Sequence, residues 1–134
     1  MRNSIFTIPR FVCALAVLGA LMVTGCGPSE VQQKLDFAQQ TVKESLEAWK
    51  GGGSPEDLKS SDSPVEFYDD DWLAGAKLID FEIGKVFLEP SDQTARCSVI
   101  LTVQRRKKKA SVKVGCTYQV VAEPAVVVAR DPMS

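Results

Sequence analysis

The apolar residues change their repeat once along this chain, near Lys77. Before that point they recur at helical spacing; after it they alternate at the period of a strand. Val31, Leu35, Ala38, Val42, Leu46 and Trp49 follow one another at steps of three and four, so they share one helix face. Ser29 stands in the capping position with Gln32 three residues on, the spacing of a capping box. Glu30 and Lys34 are spaced to pair along the helix. Gly51 to Gly53 ends this long helix. Ser54-Pro55-Glu56-Asp57 opens a second, short helix, expected to last to about Ser60. Residues 61–71 read as loop, and Trp72 with Leu73 as the apolar plug that returns the chain to the core.

From Lys77 onward Ile79, Phe81 and Ile83 alternate with Asp80 and Glu82. Gly84 suggests a bulge, after which Val86 and Leu88 resume the alternation. Cys97, Val99, Leu101 and Val103 share one face of the next run; Ala110, Val112, Val114, Cys116, Tyr118 and Val120 share a face of the one after. Two such runs form a hairpin with one buried face. Pro124 closes it, Ala125 to Ala129 adds a last apolar run, and Arg130 to Ser134 reads as a tail. The expected fold class is α+β: one long N-terminal helix and a short helix packed on a curved antiparallel sheet of three to four strands. A single domain over 29–130 accommodates it.

Pairing Gln104 with Lys109 across a four-residue loop sets Cys97 directly opposite Cys116 on the apolar face. That register predicts a disulfide closing about 20 residues and contributing roughly 3 kcal/mol. The alternative is two buried free thiols.

The N-terminus has a different logic. Arg2 and Arg10 precede an apolar run from Phe11 to Val23, too short to span a membrane, which takes about 20 residues. Val23-Thr24-Gly25-Cys26 follows. A positive start, a short apolar core and a small-residue cleavage site make an export signal over 1–25. The last four residues resemble the lipobox of bacterial lipoproteins. The resemblance implies cleavage after Gly25, diacylglycerol on the Cys26 sulfur, a short tether over 26–28, and a protein exported and lipid-anchored to the cell membrane or outer membrane. Gly27 stands where an inner-membrane retention signal has Asp, which favours the outer membrane in a cell that has one. The element order, with the closing Tyr118-Gln119-Val120-Val121, Pro124 and Arg130, resembles a reduced cystatin-like or NTF2-like fold. Trp72-Leu73-Ala74-Gly75 before the first strand is similar to a segment of small uncharacterised bacterial lipoproteins.

Composition then removes function classes. The chain has no His, which excludes His-dependent triads, His general bases and His zinc ligands. NTF2-like enzymes generally use His and Asp in the cavity, so that activity does not carry over. The leader holds two of the 16 basic and none of the 17 acidic residues, leaving 14 against 17, a net charge of −3. No catalytic residues, cofactor or metal are implied, and nucleic acid is not an expected partner. Asp80 and Glu82 read as the solvent face of a strand, with a cleft-lining acid pair as the alternative. Asp69, Asp70 and Asp71, near Asp62 and Glu66, offer carboxylates for calcium but lack the EF-hand spacing, and a solvated loop is the simpler reading. Arg105, Arg106, Lys107, Lys108 and Lys109 form a basic hairpin tip. It reads either as an interaction site for an anionic envelope component or protein, or as a solubilising turn that discourages strand-edge association. The expected function is a non-enzymatic, membrane-anchored interaction module. The alternative is a small-ligand carrier or degenerate enzyme with a pocket between helix and sheet.

Overall fold

The structure, a computed structural model, describes residues 29–134. The expected export signal over 1–25, the expected lipidation at Cys26 and the tether over 26–28 lie outside the described residues. The elements are α1 (Glu30–Lys50), α2 (Pro55–Lys59), β1 (Val65–Tyr68), α3 (Asp70–Leu73), β2 (Lys77–Leu88), β3 (Ala95–Gln104), β4 (Val112–Val121) and β5 (Val126–Arg130). The strands make one sheet in the order β1-β5-β4-β3-β2. The α+β class holds. The strand count and the antiparallel rule do not, because β1 pairs with β5 in parallel, Val65 opposite Val126. β1 lies inside the stretch read as loop. Four residues carry too little alternation to register as a strand, and their pairing partner is remote in the chain.

α1 begins where the capping residue indicates. The Ser29 hydroxyl accepts the Gln32 amide at 3.2 Å. The Gln32 side chain turns instead to Asp36 at 2.8 Å, so the expected reciprocal half of the box is not made. Nor does Lys34 pair with Glu30 as expected: its Nζ donates to the Gln93 carbonyl at 2.9 Å, pinning α1 to the β2–β3 turn. Ala38, Val42, Leu46 and Trp49 are buried and fill the inner face of β2 and β3, while Val31 stays exposed. Gly52, at φ +91°, supplies the left-handed residue that lets the chain leave the helix.

The Gly84 bulge is present: the β2–β3 register slips between Ile83 and Val86. A second slip, between Leu78 and Asp80, turns Leu78 inward and Ile79 outward, reversing the expected facing of Ile79. The β3–β4 register also differs from expectation. Val103 lies opposite Val112, Val99 opposite Cys116, and Cys97 opposite Tyr118. The connection runs over residues 105–111, longer than the four-residue loop assumed. Because the shift is two residues, every side chain keeps its face and only its partner changes.

The core is a run of aromatic rings along the inner face. Trp49 stacks on Trp72 with centroids 5.2 Å apart; Phe67 meets Trp72 edge-on at 5.2 Å and Tyr118 at 5.1 Å. Trp49 Nε1 donates to the Ala76 carbonyl at 2.9 Å and Trp72 Nε1 to the Gly53 carbonyl at 3.1 Å, so both indoles are buried with their polar edge satisfied. The residues read as a tail belong to the domain. Asp131 bonds Arg96 at 2.8 Å and its amide donates to the Thr117 carbonyl at 2.8 Å.

Candidate interaction surface

The three consecutive aspartates take separate roles. Asp69 is buried at 1% exposure, contrary to a solvated loop. Its Oδ1 accepts the Trp72 amide at 3.1 Å, capping α3. Its Oδ2 accepts the Tyr118 hydroxyl at 2.6 Å and lies 3.6 Å from Arg130 Nη1. Asp70 is exposed. Asp71 receives Arg130 Nη1 at 2.9 Å, and Arg105 Nε and Nη2 at 2.9 and 3.4 Å. Tyr118 on β4, Asp69 and Asp71 around α3, Arg130 at the end of β5 and Arg105 at the hairpin tip thus form one connected network. Burial, followed by the Asp69 charge, pushes the Tyr118 hydroxyl well up, so it stays a donor to Asp69.

This network divides the basic tip. Arg105 is committed to Asp71. Arg106 lies along Gly75, where an added Cβ would meet its Cδ at 3.1 Å. Gly75 also sits at φ +83°, a backbone conformation that favours glycine. Lys107, Lys108 and Lys109 are exposed and have no acidic partner among the described residues. Lys107 turns the loop in the left-handed region at φ 64°.

The Asp71 carboxyl is held below the usual carboxylate range, first by the hydrogen bond from Arg105, against the opposing effect of burial, with Arg130 adding to it. A folded pKa below the unfolded one contributes stability above the unfolded value of about 4, lost as pH falls through the lower folded value. Arg105→Gln should therefore flatten the acid limb of a stability–pH curve between these two values. An unchanged limb would mean the pair is not formed in solution.

The cysteines do not face each other. Both are buried free thiols, diagonal across β3 and β4. Diagonal neighbours stand about 7–8 Å apart, their Cβ atoms somewhat closer, whereas a disulfide needs Cβ atoms at roughly 3.5–4.5 Å. The register shift thus removes the geometric basis of the expected bond. Burial, with Cys116 beside it, pushes the Cys97 thiol up to about 11; burial also raises Cys116, against the field of Arg130. Alkylation followed by peptide mapping, without reductant, should leave both cysteines unmodified in the native protein and label both after denaturation. Recovery of the two peptides linked would contradict this.

Asp80 and Glu82 are exposed, Asp80 paired with Lys50 at 3.3 Å. Among the described residues no group of three or more Cys, Asp or Glu side chains gathers as a metal site would require, and no helix is long and apolar enough to cross a membrane. Sequence reading missed Asp69, Tyr118 and Arg130 as a unit. The available signal was the spacing of Asp69 three residues before Trp72, an N-cap spacing. Comparison with family models, curated proteins and solved structures finds no match.

The two ends of the domain are distinct. α1 has 21 residues, about 30 Å of helix. Near its start, Lys34 reaches the β2–β3 turn; at its end, Trp49 bonds Ala76, next to the Lys77–Gln104 pair at the base of the basic tip. The tip therefore lies at the end of the domain opposite Ser29.

Proposed function

We propose that this protein is an exported lipoprotein, anchored by lipid on Cys26, whose distal basic end binds an anionic envelope polymer or protein. The observation that carries this reading is the position of Lys107, Lys108 and Lys109, unpaired and remote from the N-terminus of α1. With only residues 27–29 between the lipid and the helix, an upright domain holds these lysines away from its own membrane, near the full length of α1. Electrostatic attraction from such a cluster raises encounter rates with anionic partners and weakens with salt. A carrier with its pocket between helix and sheet is less well supported, because Ala38, Val42, Leu46 and Trp49 fill that space.

The test is crosslinking in intact envelopes with a K107Q/K108Q/K109Q variant. It leaves Arg105 in its bond to Asp71, so loss of charge is separated from loss of structure. The reading expects a crosslinked species with wild type that disappears in the variant at an unchanged melting temperature. An identical crosslinking pattern would contradict it.

A further inference from the structure

Beside the basic tip lies a cleft of about 620 Å³, formed where α1, α2 and α3 converge on the start of β2. Its floor includes the buried, stacked Trp49 and Trp72. Two large apolar side chains line it yet remain open to solvent: Leu73 at 61% and Ile79 at 45% exposure. Neither is exposed for lack of order in its backbone. Leu73 is held in α3, capped by Asp69, and Ile79 is turned outward by the register slip between Leu78 and Asp80. Gly52, Gly53 and Gly75 keep side chains out of the walls.

The charge at the mouth is unequal. Lys50, paired with Asp80, and Lys77 line the cleft with one acid, Glu56, and Arg106 lies along Gly75, joining the mouth to Lys107–Lys109, so the excess positive charge comes from the tip side. Exposed apolar side chains gathered in a concavity with a charged rim mark a binding surface more than a packing defect. An anionic polymer alone would use the rim and leave Leu73 and Ile79 uncovered. A lipid surface would not favour a recess between helices at the pole opposite the anchor.

We propose that the cleft seats an apolar side chain of an acidic peptide segment, whose carboxylates meet Lys77, Arg106 and the free lysines of the tip. This deepens, and rests on, the reading of the basic end as an interaction site. Trp49 and Trp72 are the chain's only tryptophans, so indole emission reports occupancy of the cleft directly.

The experiment selects peptides from a displayed random library on the mature lipoprotein in neutral detergent micelles, then titrates the selected peptides while following indole emission. Two variants accompany wild type: L73S/I79S, which alters only exposed side chains, and K107Q/K108Q/K109Q. The expected result is enrichment of acidic sequences with an apolar residue, a saturable emission change, and binding at least about ten-fold weaker in each variant, or about 1.4 kcal/mol. Acidic peptides that bind without an emission change, and equally well to L73S/I79S, would overturn the cleft while leaving the basic end as a binding site. Apolar peptides insensitive to the lysine variant, or no enrichment at all, would overturn the acidic-peptide partner. An emission change with phosphatidylglycerol vesicles alone would assign the cleft to lipid instead.

Discussion

Asp69→Ala is expected to lower stability by about 3–5 kcal/mol, as removal of one member of a buried charge pair does. The carboxylate serves three groups at once: the Trp72 amide, the Tyr118 hydroxyl and the Arg130 guanidinium. Its loss leaves a buried hydroxyl with only the weakly accepting Cys116 sulfur beside it, an uncapped α3 and a half-compensated cation. Tyr118→Phe removes only the donor and should cost about 1–2 kcal/mol, because Asp69 keeps its other partners. The two changes share a hydrogen bond, so their effects should fall short of additive. Urea unfolding of the two single variants and the double variant measures this. A cost for Asp69→Ala within about 0.5 kcal/mol of zero, the range of surface substitutions, would mean that the buried network is not formed.

Trp72→Ala comes next, at about 3–5 kcal/mol, the range for removing a large aromatic side chain from a core. Trp72 is the central ring of the aromatic run, stacked on Trp49 from α1 and meeting Phe67 from β1. Truncation would separate the helix from the β1 edge and free the Gly53 carbonyl. The neighbouring Leu73→Ala should stay within about 0.5 kcal/mol, because Leu73 is exposed. The two melting curves together test whether the sequence pair Trp72-Leu73 is a plug, as its composition suggested, or one buried anchor beside one open side chain. A large destabilisation from both would restore the plug.

What the sequence disclosed follows from how local each signal is. α1 was legible because Ser29 caps it and its apolar residues repeat over several turns. The Gly84 bulge was legible because glycine interrupts a clear alternation. β1 was not, since Val65–Tyr68 is short and its partner is Val126–Ala129, far along the chain. The hairpin register was half legible. Alternation fixes which face Cys97 and Cys116 occupy, but the partner depends on the length and conformation of residues 105–111, where Lys107 turns left-handed and Arg105 is drawn to Asp71. Long-range ion pairs leave no local pattern. That is why the tip read as five equivalent cations, when Arg105 is paired with Asp71, Arg106 lies along Gly75 and three lysines are free. For the same reason the run of three aspartates concealed one buried cap, one exposed residue and one bridge.

In the proposed lipoprotein the start of α1 and the β2–β3 turn face the membrane, and the free lysines stand at the other end of the domain. Fluorophores attached singly at Ser91, in the β2–β3 turn, and at Lys108, in the tip, would report this on the lipidated protein reconstituted into vesicles carrying a headgroup quencher. The expected result is strong quenching at Ser91 and weak quenching at Lys108. Equal quenching at both sites, or stronger quenching at Lys108, would contradict it.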